Sequence, residues 1–178
     1  MRQTPIYGMM AEFDSPTQLV DAAHRTHAAG YLKIDAYSPF PVEGLAEAMG
    51  FHKNGVPLVV LIGGLLGGLS GYLLQYWISA VSYPVNVGGK PYHSWPAFIV
   101  VTFEMTILFG GIFAVFGMLA LNGLPMPYHP VFNVPRFAFA TKDRFFLIVF
   151  ATDAKYSPST TRSFLQGLGP RSISEVPS

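Results

Sequence analysis

Two long apolar stretches with almost no charge limit what this chain can fold into. The first runs from Pro57 to Val81 without a charged residue, and the second runs from Ala97 to Leu121 with Glu104 as its only charge. A membrane-spanning helix needs about 20 predominantly apolar residues, whereas apolar stretches of about 10 to 14 residues are typical of buried core helices. We therefore predict two transmembrane helices, with a pair of buried core helices as the alternative.

The composition agrees with a membrane environment. Charged residues make up 12% of the chain and apolar residues 51%, while soluble domains carry roughly 25% charged residues. The net charge of +1 gives no sign of the basic stripe typical of nucleic-acid binders, so we expect lipids and proteins as partners and no nucleic acid. The opening segment MRQTPIYGMMAEFDSP lacks the apolar region of a signal peptide, so we expect it to stay in the cytoplasm.

Basic residues near the ends of the two stretches predict their orientation. Lys90 is the only lysine or arginine in the link between the stretches. The flanks on the other side contain four: Lys53, Arg136, Lys142 and Arg144. Because lysine and arginine are enriched on the cytoplasmic side of membranes, we predict that both termini are cytoplasmic. Aromatic residues of the kind found at membrane interfaces cluster around the link: Tyr76, Trp77, Tyr83, Tyr92 and Trp95.

Glycines recur along both stretches at spacings that let another helix approach closely. The residues that we assign to helix packing are Gly63, Gly64, Gly67, Gly68, Gly71, Gly110 and Gly111. Two such sets on a two-helix chain predict that the spans pack on each other as a hairpin, and that helices from other chains join them.

Glu104 is the one charged residue within a predicted span. It lies seven residues after Ala97, about 10 Å along the helix, where an ionised carboxylate facing lipid costs several kcal/mol. Ile107, Leu108 and Gly111 share its helical face. Glu104 is a candidate for a proton relay or for an intersubunit hydrogen bond. The alternative is a protonated or snorkelling side chain with a purely structural contact.

The segments outside the spans predict one small domain assembled from both ends of the chain. Before the first span, PIYGMMAEF and YLKIDAYS have strand patterns and flank a helix that Asp14 or Ser15 would cap. After the second span, RFFLIVFATD and RSISEV predict strands around a short helix in SPSTTRSFLQGLG. Without the hairpin, this is the ferredoxin-like β-α-β-β-α-β order. The alternative is two unrelated flanking segments.

The predicted fold class is therefore an α+β membrane protein, with a two-helix transmembrane hairpin inserted between the halves of a ferredoxin-like cytoplasmic domain. Its three parts are a cytoplasmic βαβ half at residues 1–55, the hairpin at 56–122, and a proline-rich segment with the second βαβ half at 123–178. Within the hairpin, spans 57–81 and 97–121 are joined by a short periplasmic link at 82–96.

The chain lacks the residue types that would hold a redox cofactor, in the whole sequence for cysteine and within the spans for histidine. The chain has no cysteine, which excludes thiolate-bound iron–sulfur clusters and covalent c-type haem on it. Neither span contains a histidine, so this chain alone cannot hold a membrane-embedded bis-histidine haem. His24 and His27 are three apart on one predicted helix, but no further ligand is evident. We expect no catalytic, cofactor-binding or metal-binding residue, and no enzymatic activity by the chain itself.

Two long motifs outside the spans give the chain a family resemblance. YGMMAEFDSP leads to GYLKIDAYSPFPVEGL in the first half, and LPMPYHPVFNVPRF leads to DRFFLIVF in the second. With the glycine-rich hairpin between them, from Tyr7 to about Glu175, the chain resembles the ActD subunit family of bacterial alternative complex III.

The resemblance implies a place in a larger assembly. Alternative complex III is a quinol-oxidising complex of respiratory or photosynthetic electron transport in the bacterial inner membrane. It contains multihaem and monohaem c-type cytochrome subunits, an iron–sulfur subunit and two large polytopic quinol-type subunits. The resemblance implies that this chain is a non-catalytic, cofactor-free accessory subunit, and that the c-type haems, iron–sulfur clusters and quinol belong to its partners. We expect it to brace the polytopic subunits and to cap their cytoplasmic face.

The motif PMPYHPVFN is expected to dock on a polytopic partner in a fixed, extended shape, because prolines restrict the chain before binding. The predicted docking residues are Tyr128, His129 and Phe132, together with Pro39 and Phe40. The alternative is that this segment covers the chain's own sheet.

Two other functions stay open on the sequence. A homo-oligomeric proton or ion conduit would place Glu104 from several copies around a pore. A membrane-tethered regulatory sensor would bind a ligand with the ferredoxin-like domain. The conduit predicts a homo-oligomer when the chain is expressed alone, and the sensor predicts a ligand-dependent melting shift. The accessory subunit predicts a chain that is unstable without its partners.

Overall fold

The computed structural model describes residues 6–51 and 54–178. The described residues form two compact units: the sheet unit, which combines residues 6–51 with 127–178, and the helical unit, residues 54–126. Lys53, one of the residues behind the predicted orientation, lies outside the described residues.

Four strands form one antiparallel sheet in the sheet unit. The strands are β1 (Ile6–Phe13), β2 (Ile34–Tyr37), β3 (Phe145–Phe150) and β4 (Ser172–Pro177). Their order across the sheet is β2-β3-β1-β4, and each neighbouring pair is antiparallel. The two central strands come from opposite ends of the chain, with Met10 of β1 opposite Ile148 of β3. The α+β class predicted from the sequence is confirmed.

The helices of both units are α1 (Pro16–Ala28), α2 (Leu45–Ala48), α3 (Val56–Tyr76), α4 (Trp95–Leu121) and α5 (Pro158–Gln166). Ser15, one of the two predicted caps, accepts a hydrogen bond from the backbone N–H of Gln18 and so satisfies an unpaired donor at the start of α1. Pro16 occupies the first turn, where its missing N–H costs nothing.

One face of the sheet is covered by α1 and α5. Met9 of β1 and Leu147 of β3 are fully buried here, in one cluster with Leu19 of α1 and Leu165 of α5. The alternation of side chains along each strand sends the neighbouring residues, such as Met10, to the other face.

The other face of the sheet is covered by two 3₁₀-helices, Pro130–Asn133 and Pro135–Thr141. Their buried side chains recur every three residues, which matches the period of a 3₁₀-helix: Val131, Val134, Phe137 and Ala140. The extended shape predicted for PMPYHPVFN is therefore wrong from Pro130 onward. Each proline starts a helix at a first-turn position, where its fixed φ favours a turn.

β2 is shorter than the pattern YLKIDAYS predicts. The backbone N–H groups of Leu32 and Lys33 donate to the carboxylate of Asp153, at 2.8 and 2.7 Å. These two residues consequently lie before the strand, and the Leu32 side chain is exposed instead of facing the core.

The helical unit contains two helices that are long and apolar enough to cross a membrane. α3 continues as a π-helix, Trp77–Ser82, so that the two candidate spans cover Val56–Ser82 and Trp95–Leu121, 27 residues each. The predicted spans, 57–81 and 97–121, lie inside these helices. Phe98 is the one buried residue of α4. A core helix of a soluble domain would have a whole face of buried residues.

Candidate functional site

Three glycines of α3 face α4 at close range. A Cβ atom added at Gly63 would lie 2.9 Å from Cδ2 of Phe113, and one added at Gly67 would lie 2.7 Å from Cβ of Phe109. At Gly71, the added atom would lie 3.0 Å from Cβ of Met105. Because later glycines of α3 contact earlier residues of α4, the two helices run antiparallel. The missing side chains of these three glycines permit the close contact between the helices.

The other glycines assigned to helix packing are not needed in the same way. A Cβ atom added at Gly64 would lie 3.6 Å from Thr106 and one at Gly110 would lie 3.9 Å from Val60, both ordinary contacts, and one at Gly111 would meet nothing within 4 Å. Gly68 is an exception, because its added Cβ would lie 2.6 Å from the Thr106 hydroxyl, a contact with α4 as close as those of the first three glycines.

Gly64, Gly68, Gly110 and Gly111 line one open groove along the hairpin, with a volume of about 870 Å³. Leucine, isoleucine and valine side chains supply most of the remaining lining, and Tyr72 lies at one end. Six of the seven glycines therefore fall into two sets, and Gly68 belongs to both. One set lies between α3 and α4, and the other lines a groove on the surface of the pair.

Glu104 is exposed on the side of α4 that faces away from α3. The α4 residues that lie closest to the α3 glycines include Met105, Thr106, Phe109 and Phe113, and helical periodicity places Glu104 on another face. Within residues 6–51 and 54–178, no side chain or backbone group makes a hydrogen bond or an ion pair with its carboxylate. The Glu104 carboxylate is therefore available for bonds to groups outside the hairpin.

Other polar side chains of the spans bond within the hairpin. Ser70 donates to the carbonyl of Gly67 at 2.9 Å, and the Gln75 amide donates to the carbonyls of Gly71 and Phe98, both at 3.1 Å. Such bonds satisfy donors that lipid cannot. Glu104 differs from these residues because its carboxylate accepts no such bond from any residue that the structure describes.

At the link end of the hairpin, His93, which lies in the link just before α4, contacts α3. Its Nε2 lies 2.6 Å from the hydroxyl of Tyr72, and its ring is edge-on to Tyr76 at 5.2 Å between centroids. No spacing pattern predicts this pair, since His93 and Tyr72 are 21 residues apart.

The predicted docking residues of the proline-rich segment differ in exposure. Tyr128 and Phe132 are 56% and 70% exposed, and the Tyr128 hydroxyl donates to Asn133 at 2.6 Å. His129 is half-buried, and its Nε2 lies 3.3 Å from the hydroxyl of Tyr7. Tyr128 and Phe132 therefore present their rings outward, while His129 contacts the chain's own sheet.

Phe40 does not share a surface with Phe132. The Phe40 ring packs edge-on against Phe145, which belongs to the helix-covered face of the sheet. The Phe132 ring packs against Phe137, on the face covered by the 3₁₀-helices. Pro39 precedes Phe40 and is half-buried. The five residues predicted for docking therefore lie on two separate surfaces.

A buried carboxylate that the sequence analysis missed fixes the proline-rich segment to the sheet. Glu12 of β1 is 1% exposed and receives two hydrogen bonds from the Arg136 guanidinium, each at 2.6 Å. Ser172 donates a third at 2.7 Å. The bonds from Arg136 hold the pKa of Glu12 below its usual value. The sequence signal was a glutamate within the apolar strand IYGMMAEF.

A second acidic side chain organises the loop before β2. Asp153 is 7% exposed and accepts hydrogen bonds from the backbone N–H groups of Leu32, Lys33 and Lys155. Burial alone would raise the pKa of Asp153, but these bonds to the ionised form lower it.

No metal centre is evident in the part of the chain that the structure describes, where no three histidine, aspartate or glutamate side chains are grouped to hold an ion. His24 is exposed and His27 is half-buried on α1. They are ordinary helix-surface positions.

The comparison with known families agrees with the resemblance seen in the motifs. None of the curated proteins matches this sequence. The family model of the alternative complex III ActD subunit matches residues 7–175, which is nearly the whole chain and includes both candidate spans and all or most of each of the four strands. The chain therefore belongs to the ActD subunit family of alternative complex III.

Proposed function

We propose that this chain is a non-catalytic, cofactor-free accessory subunit that braces the polytopic quinol-type subunits of alternative complex III and caps their cytoplasmic face. The observation that carries the proposal is the family match over residues 7–175. The multihaem and monohaem c-type cytochromes and the iron–sulfur subunit would hold the redox centres, and the quinol would bind the polytopic subunits.

The geometry of the hairpin supports a bracing role. α4 has 27 residues, of which only Phe98 is buried, so most of its surface is free for lipids and for helices of other subunits. Small residues along the groove would let such helices approach closely. The hairpin would cross the bacterial inner membrane with both termini in the cytoplasm, in line with the distribution of basic residues.

The sheet unit would be a ferredoxin-like domain on the cytoplasmic side, with residues 56–122 inserted between its halves at 1–55 and 123–178. The strand order β2-β3-β1-β4, with strands from both ends of the chain, supports this arrangement. The exposed rings of Tyr128 and Phe132 would be the anchors toward the partner on one surface, and Pro39 and Phe40 on the other. His129 would orient the first surface through Tyr7.

A homo-oligomeric proton or ion conduit is the second candidate. Glu104 lies in a candidate span, and its carboxylate has no bonding partner among the described residues. This function would require copies of the chain to assemble with one another. The family match favours a hetero-oligomeric complex instead.

Deletion of this chain in its source bacterium tests the proposal. We expect the haem-stained complex to be lost or to lose subunits on native gels, while any complex that still assembles oxidises quinol at the normal rate per haem. A complete complex that cannot oxidise quinol would overturn the proposal, because the chain would then contribute to the chemistry.

A further inference from the structure

The carboxylate of Glu104 needs a hydrogen-bond donor that the described part of this chain does not supply. Glu104 lies within a 27-residue apolar helix, about 14 Å along the axis from its first residue, Trp95. At that depth a carboxylate facing lipid is strongly unfavourable. No described residue of the chain bonds to it. Hydrocarbon chains of lipids have no donor to offer.

The direction of Glu104 shows where a donor would come from. α3 lies against the face of α4 that carries Met105, Phe109 and Phe113. Glu104 and Gly111, which are two helical turns apart, lie on another face. A donor on α3 therefore cannot reach the carboxylate, and the donor must approach from outside the hairpin.

The surface beside Glu104 has room for a helix. Ile107 and Gly111 follow it on the same helical face, and both also line the groove that contains Gly64 and Gly110. A Cβ atom added at Gly111 would meet nothing within 4 Å. A helix seated along this face would contact an apolar groove and pass beside the carboxylate.

A second copy of this chain is a poor occupant for that face. Neither span contains lysine, arginine or histidine, and the hydroxyls of Ser70 and Thr106 already donate to backbone carbonyls of their own helices. A second hairpin would therefore bring another Glu104 and no cation. Like charges placed together in a low dielectric are strongly unfavourable. A helix from a different protein, with a basic or hydroxyl side chain at the depth of Glu104, has the complementary chemistry.

We infer that the face of α4 formed by Glu104, Ile107 and Gly111 seats a transmembrane helix of a different subunit, which donates a hydrogen bond to the Glu104 carboxylate. This inference rests on the proposed function and adds the contact face and the chemistry of the partner helix. The carboxylate acts as a polar anchor, and the apolar groove beside it supplies the contact area.

Photo-cross-linking in native membranes tests the contact. A benzophenone amino acid placed at Ile107 should cross-link to one polytopic subunit. The same probe at Leu66, which is exposed on α3 outside the groove, should give at least several-fold less of that product. Cross-links from position 107 to lipid alone, or to a second copy of this chain, would overturn the inference.

Two substitutions test the chemistry of the contact. Glu104→Leu removes the acceptor and makes the span more apolar, so the hairpin should still insert. An interhelical hydrogen bond in a membrane is worth enough to change association by about 5- to 30-fold, and we expect a loss of co-purified partner in that range. Glu104→Gln keeps an acceptor and should retain most of the partner.

Gly111→Leu provides an independent variant, because the hairpin leaves space for the new side chain. It should also weaken co-purification, whereas Leu66→Phe should not. If wild-type chain co-purifies with its partners and Glu104→Leu and Gly111→Leu do so equally well, the inference is wrong while the proposed function stands. If wild-type chain captures no haem-containing partner, the proposed function itself fails, and the inference with it.

Discussion

Gly67 and Gly64 lie about one turn apart on α3, but we expect one added methyl group to affect them differently. At Gly67 the new Cβ would lie 2.7 Å from Cβ of Phe109. Carbon atoms in contact prefer about 3.5 to 4.0 Å, so Gly67→Ala would push the helices apart by about 1 Å. At Gly64 the nearest atom, Cγ2 of Thr106, would lie at 3.6 Å, so Gly64→Ala needs no adjustment.

The expected magnitudes follow from these distances. Overpacking a well-packed contact typically costs about 1 to 3 kcal/mol, and we assign that range to Gly67→Ala. Gly64→Ala should change stability by less than about 0.5 kcal/mol, in the manner of a substitution away from tight contacts. The comparison is matched, because both variants replace glycine by alanine in the same helix.

Unfolding of the full chain in mixed detergent micelles measures the effect. Both tryptophans, Trp77 and Trp95, belong to the helical unit, so their fluorescence reports that unit selectively. We expect Gly67→Ala to unfold at a lower fraction of denaturing detergent than wild type, and Gly64→Ala to coincide with wild type. Equal destabilisation by both variants, or none by Gly67→Ala, would refute the assignment of the glycines to two sets.

Three further predictions concern other parts of the chain. The folded-state pKa of Glu12 lies below the ordinary value of 4.5, so its ion pair should contribute fully above that value and lose its contribution as the pH falls through the lowered pKa. Glu12→Gln should therefore flatten the acid-induced loss of hydrogen-exchange protection in β1, and an unchanged profile would contradict this account. Phe137 is 7% exposed and Phe132 is 70% exposed. In denaturant titrations, Phe137→Ala should therefore lower the stability of the sheet unit by about 3 to 5 kcal/mol, and Phe132→Ala should lower it by less than about 1 kcal/mol. Similar losses would show that Phe132 is not a surface residue. Glu104→Gln should leave proton-coupled turnover of the assembled complex unchanged, and slower turnover with complete assembly would support the proton relay instead.

The sequence was most informative where local patterns decide the structure. The two long apolar helices, the strand β1, and the Ser15 cap with Pro16 were all predictable. Each depends on residues close together in the chain, such as an apolar run longer than a bilayer is thick or a serine followed by proline. The motifs also identified the family that the comparison shows.

The sequence was least informative where distant residues meet. Arg136 and Glu12 are 124 residues apart, and nothing local to Arg136 predicts a bidentate contact with β1. Asp153 likewise shortens β2 by bonding to Leu32 and Lys33, which are about 120 residues earlier. Local alternation cannot predict such competition for backbone N–H groups.

The candidate contact surfaces show the same limit. The spacing of the glycines predicted close packing, but only the register of α3 against α4 separates Gly67, which faces Phe109, from Gly64, which lines the groove. Phe40 and Phe132 could be grouped from sequence as exposed aromatics. Their placement on opposite faces of the sheet is shown only by their contacts, Phe40 with Phe145 and Phe132 with Phe137.

The most direct test of the account is purification of this chain, by an affinity tag, from its native membrane in mild detergent. The co-purified proteins would be identified by mass spectrometry, and a reduced-minus-oxidised spectrum would be recorded. The account predicts c-type haem and large polytopic subunits in fixed ratio to the chain. A haem-free assembly containing only copies of this chain would contradict it.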